Sequence, residues 1–254
     1  MQSAHESNVR NQFGPRAEAY VASAVHALGQ DLADIASLAR EAAPREAIDL
    51  GCGGGHVTYA LAPHAVRVTA TDLSPDMLSA VATTAKSKGF DNVRTVEASV
   101  ERLPFEAESF DILGCRYSAH HWQDVDAGLR EARRVLKKDA PAVFIDVYAP
   151  GNPLLDTHLQ AVELLRDTSH VRDYSLAEWS AKLAAAGFAV KASRTWRLKM
   201  EFDSWTARIG TPELLRNTIR ALQQSAPAEV KAHFEIEPDG SFMLDMVMFE
   251  TVAR

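Results

Sequence analysis

The sequence has little cysteine, no long apolar run and no excess of basic residues. Only two cysteines occur among its 254 residues, Cys52 and Cys115, too few for a disulfide framework or a zinc site. No apolar run approaches the roughly 20 residues of a membrane-spanning helix. Residues 1–16 are polar and lack the apolar core of a signal peptide. We therefore expect a cytoplasmic protein with two reduced thiols and no disulfide.

Acidic residues outnumber basic ones, with 34 Asp and Glu against 27 Lys and Arg and a formal net charge of −7 at pH 7. Binding to a phosphate backbone gains much of its free energy from Lys and Arg displacing counterions, so nucleic acid is a poor candidate partner. The hydrophobic fraction of 46% and the charged fraction of 24% are typical of soluble globular proteins. We expect one folded unit, a monomer or a homodimer, without membrane insertion.

Short apolar runs alternate with helical stretches through the first 150 residues. The strand candidates are Ala47–Leu50, Arg67–Asp72, Val93–Glu97, Phe110–Cys115 and Ala142–Val147. The helical candidates are an opening region from about Ala17 to Ala43, and then His56–Ala62, Pro75–Lys88 and Asp124–Leu136. Because strands and helices alternate, the pattern predicts an α/β fold with a doubly wound, Rossmann-like parallel sheet.

The pattern changes after Pro150. Helices are predicted at Leu154–Arg166, Leu176–Ala186, Pro212–Gln224 and Pro227–Phe234, and strands at Ala189–Leu198 and Phe242–Val252. The two late strands bring the predicted sheet to seven strands and suggest an antiparallel C-terminal edge hairpin. We expect one domain with an N-terminal helical cap (1–43), a core of alternating strands and helices (44–150), a helical lid insertion (151–187) and C-terminal strands and helices (188–254).

The sharpest local feature is a glycine-rich turn between the first strand and the next helix, Ile48-Asp49-Leu50-Gly51-Cys52-Gly53-Gly54-Gly55-His56. Open α/β sheets bind ligands at this edge, and glycines let the backbone approach a ligand closely. A dinucleotide fingerprint would place a third glycine at position 56, where this chain has His56. Asp72, about twenty residues later, can accept hydrogen bonds from ribose hydroxyls. These features favour a nucleoside-containing ligand without a phosphate.

Several motifs follow in a fixed order, and together they resemble a known family. They are Asp49–Gly55, Thr71–Leu78, Leu103–Phe105, Ser109–Asp111, Arg116–Trp122 and Glu131–Leu136. This order resembles the class I S-adenosylmethionine-dependent methyltransferases, specifically the type-11 group that includes the ubiquinone-biosynthesis methyltransferases, and the likeness covers residues 45–147. Residues 167–174 and Trp179 resemble a bacterial branch of that group.

The resemblance implies a binding site for S-adenosyl-L-methionine, with S-adenosyl-L-homocysteine as its product. The implied contacts are the loop residues Asp49, Gly51, Cys52, Gly53 and Gly55, Asp72 at the ribose, and Leu73 and Met77 beside the adenine. Where similar proteins often carry an Asp for the adenine amino group, this chain has Ser99 and Val100, so adenine selection should depend more on backbone contacts and apolar packing. Phe13 and Tyr20 resemble the capping segment that covers such sites, with ordinary helix packing as the alternative.

The loop after the fourth strand carries the best candidates for the chemistry. Methyl transfer is an in-line displacement, so the protein must align the two reactants and, for a protonated acceptor, remove a proton. His121 or His120 could act as the general base, because imidazole titrates near neutrality, or either could be structural. Arg116 could bind the methionine carboxylate or an anionic acceptor, or form a surface ion pair. Tyr117 and Trp122 are predicted to contact the acceptor.

The predicted lid contains a polar stretch, Asp167 to Tyr174. We interpret His170, Arg172 and Tyr174 as acceptor contacts, with a solvated loop between helices as the alternative. No cluster of His, Cys or carboxylates shows metal-ligand spacing in the sequence, so no metal is expected.

The sequence thus predicts a methyltransferase that acts on a small-molecule acceptor. A second hypothesis is a protein of the same fold that binds S-adenosylmethionine without activity, although the polar loop Arg116–Trp122 favours activity. A nicotinamide-dependent oxidoreductase is disfavoured by His56 and by the lack of a Tyr and Lys pair spaced for hydride chemistry.

Overall fold

The computed structural model describes residues 3–17, 20 and 29–254, and its centre is one mostly parallel sheet. The strands are β1 (Glu46–Leu50), β2 (Arg67–Asp72), β3 (Val93–Glu97), β4 (Ile112–Arg116), β5 (Pro141–Ala149), β6 (Tyr174–Ser175), β7 (Phe188–Met200) and β8 (Phe242–Ala253). Seven strands lie in the order β3-β2-β1-β4-β5-β8-β7, and the two-residue β6 pairs with β5. The strands β1 to β5 are parallel to their neighbours, while β8 is antiparallel to β5 and to β7. The predicted fold class, including the antiparallel C-terminal strands, is confirmed.

Helices flank this sheet on both faces. The α-helices are α1 (Ala4–Phe13), α2 (Gln30–Ala42), α3 (His56–Leu61), α4 (Pro75–Ser87), α5 (Val125–Val135), α6 (Pro153–Arg166), α7 (Leu176–Ala185), α8 (Phe202–Ile209), α9 (Glu213–Ser225) and α10 (Ala228–Phe234). Side chains alternate along each strand: in β5, Phe144 packs in the cluster with Leu129 of α5, while Val143 packs in the cluster with Ile35 of α2. Both faces are therefore buried, which explains why the strands read as continuous apolar runs.

The elements at the N-terminal end depart from the sequence prediction. The prediction of a single helical region from Ala17 to Ala43 is wrong, because Gly29 has an extended backbone, with φ −158° and ψ 143°. Helix α2 begins only at the next residue. Val21, Val25 and Leu28, which suggested the longer helix, lie outside the described residues. The described helix nearer the N-terminus is α1, whose Ser3 and Glu6 form a reciprocal capping box.

Helix α8 was not predicted, although its sequence carries a helical signal. Phe202, Trp205 and Ile209 are buried and recur at the spacing of one helix face. The segment is short and lies between a long strand and the turn at Gly210, and the sequence analysis assigned no element to it. None of the helices in the described part of the chain combines the length and the hydropathy that crossing a membrane requires.

Candidate active site

The glycine-rich turn after β1 requires glycine for two different reasons. Gly51 and Gly53 have φ of 64° and 47°, in the left-handed region that disfavours side chains. A Cβ atom on Gly51 would lie 1.9 Å from Oγ of Ser118, so the β4 loop can approach only a glycine there. A Cβ on Gly53 would meet no atom within 4 Å, because this residue faces a cavity.

Asp49 holds the turn to the helix that follows it. Its Oδ2 accepts hydrogen bonds from the backbone N–H of Thr58 at 2.9 Å and from the Thr58 hydroxyl at 2.6 Å. Burial raises the pKa of Asp49 to about 7, against the lowering effect of the two Thr58 hydrogen bonds. The carboxylate thus fixes α3 against the end of β1.

Asp72 lies at the end of β2 and links it to the same turn. Its two carboxylate oxygens accept hydrogen bonds from the backbone N–H groups of Gly53 and Ser74, each at 2.9 Å. Burial raises the pKa of Asp72, and these backbone hydrogen bonds oppose that rise. Each oxygen keeps a lone pair that can accept from a ligand hydroxyl.

A first cavity, of about 1010 Å³ with its mouth included, opens at this edge of the sheet. Its wall includes most of the residues that were predicted to bind the cofactor: Phe13, Tyr20, Asp49, Gly51, Cys52, Gly53, Asp72, Leu73, Met77, Ser99, Val100 and Arg116. Gly55 is not among the lining residues and instead precedes α3 in a left-handed conformation. Trp122 lines this cavity too, although it was predicted to contact the acceptor, and its indole N–H donates to Oγ of Ser118 at 3.1 Å.

Helix α1 covers the first cavity through residues that the sequence analysis did not select. His5, Glu6 and Val9 all line it. Glu6 is buried and its carboxylate accepts from Arg102 at 2.8 Å. Burial opposes ionisation of Glu6, but hydrogen bonds from Ser3 and Ser99 and the charge of Arg102 lower its pKa. The capping-box pattern of Ser3 and Glu6 was the available sequence signal for this helix.

Arg116 forms a buried ion pair, whereas one alternative in the sequence analysis was a surface pair. Its Nε lies 2.5 Å from Oδ2 of Asp31 in α2, and both side chains are about 5% exposed or less. The guanidinium also lies 4.2 Å from the centre of the Tyr117 ring. Arg116 lines the first cavity, so it contributes a positive charge next to the glycine turn.

His121 lies between α1 and the segment that follows α6. Its Nδ1 is 3.1 Å from the carbonyl oxygen of Ser169. Because a carbonyl oxygen can only accept a hydrogen bond, Nδ1 carries the hydrogen, and Nε2 of the neutral ring keeps its lone pair. That Nε2 lies 3.9 Å from Oδ2 of Asp167. Burial, followed by the neighbouring His120, lowers the pKa of His121 to about 4. The ring is therefore neutral near pH 7.

His120 differs from His121 because it is paired directly with a carboxylate. Its Nδ1 lies 2.6 Å from Oδ1 of Asp146 in β5. Burial lowers the pKa of His120, but the charge and hydrogen bond of Asp146 outweigh it and raise the pKa to about 9. Of the two predicted bases, only His121 presents a free lone pair near neutral pH.

A second cavity, of about 610 Å³ with its mouth included, adjoins the first. Both cavities share four lining residues, Phe13, Tyr20, Tyr117 and His121. The remaining wall is His120, Val147, Glu163, Arg166, Asp173, Leu198, Met200, Trp205, Arg208, Leu244 and Met246. All of these residues come after β4, and only His120 among them was predicted from the sequence to be a site residue.

The lid residues predicted to contact an acceptor line neither of these two cavities. His170 is buried and its Nε2 lies 2.9 Å from Oε1 of Gln160. Arg172 lies 3.1 Å from Asp156 and 3.5 Å from Glu178, while the Tyr174 ring packs against Trp179. These three side chains hold the segment in place. Asp173, which lies between two of them in the sequence, lines the second cavity.

Both cysteines are buried free thiols, and their surroundings differ. Cys52 lines the first cavity, whereas Cys115 lies within β4 in the sheet core. Burial raises the pKa of both thiols well above the usual value.

Comparison with known proteins gives consistent matches. Residues 48–144 match the type-11 family model, described as a methyltransferase domain. YcgJ of Bacillus subtilis, named as a methyltransferase, is 40% identical over 247 residues, which are 95% of this chain and 98% of YcgJ. Its crystal structure matches with a TM-score of 0.84 and 35% identity, over 89% of this chain and 98% of that one.

Two further relatives differ in how much they share. YafE of Escherichia coli is 44% identical over 200 residues, which are 79% of this chain and 97% of YafE. The ubiquinone/menaquinone biosynthesis C-methyltransferase UbiE of Agrobacterium fabrum is 30% identical over 140 residues, 54% of each chain. The chain therefore belongs to the type-11 group of the class I S-adenosylmethionine-dependent methyltransferases.

Proposed function

We propose that the chain binds S-adenosylmethionine in the first cavity and methylates a small molecule held in the second. The observation that carries this proposal is the shared wall of Phe13, Tyr20, Tyr117 and His121. A methyl donor and an acceptor must meet in line at a distance of a few ångströms, and two adjoining cavities with a common wall allow that.

The residues of the first cavity fit the methyl donor. Asp72 offers carboxylate lone pairs for the two ribose hydroxyls, and its backbone hydrogen bonds hold it in place. Leu73, Met77 and Val100 provide an apolar surface for the adenine. Arg116 supplies a positive charge for the methionine carboxylate. When bound, S-adenosylmethionine supplies an electrophilic methyl group on a sulfonium.

His121 is the proposed general base for acceptors that carry a proton. Its Nε2 is free to accept that proton, because Nδ1 is engaged with Ser169. Asp167 lies 3.9 Å from Nε2 and would stabilise the imidazolium that forms. Phe13 packs against the His121 ring at 5.0 Å, which limits water at the shared wall.

The second cavity favours an acceptor with an apolar body and an anionic or polar group. Leu198, Met200, Trp205, Leu244 and Met246 form its apolar side. Arg166 and Arg208 are on the same wall, and guanidinium groups suit carboxylates. In this proposal the residues of this wall contact the acceptor, in place of Trp122, His170, Arg172 and Tyr174, which were predicted from the sequence.

Two measurements test the proposal. Isothermal titration should show one site for S-adenosylmethionine and for S-adenosylhomocysteine and none for NADH. Incubation of the protein with a methyl-labelled donor and fractionated small molecules of the source cell should then label an acceptor. Cofactor binding without labelling in any fraction would favour the inactive binding protein, and no cofactor binding would overturn the site.

Replacing His121 by Asn separates catalysis from binding. We expect His121→Asn to slow transfer about 100-fold or more, since a positioned general base contributes roughly 10²–10⁴, while donor affinity stays within a factor of about three of the parent. His158→Asn is the matched control, because His158 is half-buried against Phe234 and lines neither cavity. Equal rates for the two variants would assign His121 a structural role.

A further inference from the structure

Three potential metal ligands converge at one side of the second cavity. His120, Asp146 and Asp173 each offer one ligand atom, and these atoms all lie within 4.8 Å of one another. They come from separate elements: the turn after β4, strand β5, and the segment before β6. No sequence spacing links the three positions, which explains why the sequence analysis expected no metal.

Asp173 gives an independent indication that a ligand belongs here. Its side chain is about 1% exposed, and its Oδ2 accepts no hydrogen bond from any described residue. The nearest basic atom is Nε2 of His170 at 3.9 Å, and that nitrogen is engaged with Gln160. A carboxylate buried without a donor is costly, so native structures usually supply a partner.

The region around Asp173 also has fewer positively charged groups than carboxyl groups. Four buried carboxylates lie in this region, those of Asp146, Glu163, Asp167 and Asp173. Arg166 lies 3.9 Å from Glu163, and Arg208 shares the cavity wall, so among the described residues two guanidinium groups face four carboxyl groups. Burial raises the pKa of Glu163, and it raises the pKa of Asp173 well above its usual value. His120 adds at most one positive charge. As a metal ligand His120 is neutral, so with all four carboxyl groups ionised two negative charges remain, and a dication would balance them.

We propose that His120, Asp146 and Asp173 bind one divalent first-row cation, such as Mn²⁺, through one imidazole nitrogen and two carboxylates. Imidazole and carboxylate together suit such ions better than they suit Ca²⁺, which prefers oxygen ligands alone. His120 and Asp173 line the second cavity, so the coordination positions that the protein leaves open face it. The ion takes the place of the proton between His120 and Asp146.

The consequence for chemistry rests on the proposed function. An ion at this position would lie on the acceptor side of His121 and would bind an oxygen of the acceptor. Coordination lowers the pKa of a bound hydroxyl and so eases its deprotonation. The inference therefore points to an acceptor with an oxygen anion, either at the position that is methylated or in a group next to that position.

Binding of Mn²⁺ alone to the full chain tests the site without any acceptor. After the protein is stripped with chelator, titration followed by electron paramagnetic resonance should show one Mn²⁺ bound per chain. Asp173→Asn, which keeps the shape and removes the charge, should weaken that binding at least about tenfold, because even the loss of a residue that only supports a metal ligand typically costs that much.

A matched control exists elsewhere in the chain. Asp245 is a buried carboxylate paired with a histidine, since its Oδ2 lies 2.8 Å from Nε2 of His233, but the described residues around it include no comparable third ligand. Asp245→Asn should leave Mn²⁺ binding unchanged. Binding that survives in Asp173→Asn, or that is absent from the parent at millimolar Mn²⁺, would overturn the site.

A second measurement keeps the test valid if Asp173→Asn does not fold. Pulsed electron paramagnetic resonance of Mn²⁺ on the parent chain should show nitrogen coupling from one imidazole. Coupling to water and carboxylates alone would also overturn the assignment. Donor binding, measured on the same samples with S-adenosylhomocysteine, reports on the proposed function separately, because the first cavity does not include Asp146 or Asp173.

Discussion

Asp72 joins two parts of the first cavity through one carboxylate, and its substitution tests the proposed binding of S-adenosylmethionine there. A charge-assisted hydrogen bond contributes about 1.5–3 kcal/mol, so Asp72→Ala should weaken S-adenosylmethionine binding by roughly ten- to a hundredfold in isothermal titration. Asp111→Ala is the control, because Asp111 also accepts two backbone N–H groups, from Arg45 and Glu46, at the opposite edge of the sheet. Equal affinities for the folded variants would refute the ribose assignment.

Asp49 should make the stability of the protein depend on pH. Its pKa is raised from 3.8 to about 7 in the folded chain, so the stability that it contributes is present at low pH and is lost as the pH rises through about 7. Asn cannot titrate and can still accept both hydrogen bonds from Thr58. Between about pH 4 and pH 8, the free energy of unfolding of Asp49→Asn should therefore rise relative to the parent by up to about 4 kcal/mol. Urea unfolding across this range measures it, and a difference that does not vary with pH would contradict the cause given.

The individual site residues that could be predicted are those that lie close together in the sequence. The turn Gly51 to Gly55 and Asp72 belong to one βαβ unit, so spacing alone places them at one edge of the sheet. Asp31 and Asp167 were not selected, because each meets its partner only through the packing of distant elements. Nothing in a local pattern indicates such a pairing.

Removal of helix α1 should speed the release of a ligand from the first cavity. This helix covers the first cavity and is fastened by Glu6 to Arg102, by Arg10 to Glu97 and by the Asn8 side chain to the carbonyl of Thr168. Deleting residues 1–12 should raise the dissociation rate of S-adenosylhomocysteine about tenfold or more, since a loss of 1.4 kcal/mol suffices for that. Trp122 lines the cavity, so stopped-flow tryptophan fluorescence can follow the release.

A point variant provides the comparison for that deletion. Arg102→Ala removes only one exposed partner of Glu6, and exposed ion pairs contribute about 1 kcal/mol or less. Its effect on the dissociation rate should be several times smaller than that of the deletion. If the deletion leaves the rate unchanged, α1 does not retain the ligand.

The secondary structure of the sheet was largely predictable, because its strands are buried on both faces. β2 and β3 have the predicted limits, and β1, β5 and β8 differ from them by one or two residues. Phe110 was placed in β4, but it forms only an isolated bridge to Leu136, and the strand begins at Ile112. The role of residues 167–174 does not follow from their sequence, because side chains suited to binding, such as Arg172, are equally suited to holding a loop in place through ion pairs.

The whole molecule assembles its two cavities from different stretches of the chain. The first is lined by residues between His5 and Gln123. Apart from the four shared residues and His120, the second is lined by residues between Val147 and Met246. Motifs could therefore reveal the first cavity, whereas the second depends on α6, α8 and the hairpin of β7 and β8 folding back over the sheet, which no single motif encodes.

This arrangement has a consequence for how such proteins diversify. Under the proposed function, substitutions in the last hundred residues would reshape the acceptor chamber while the donor-binding half stayed intact. A gene lineage could thus change its acceptor through drift in β7, α8 and β8 alone, with Phe13, Tyr20, Tyr117 and His121 constrained by both halves at once.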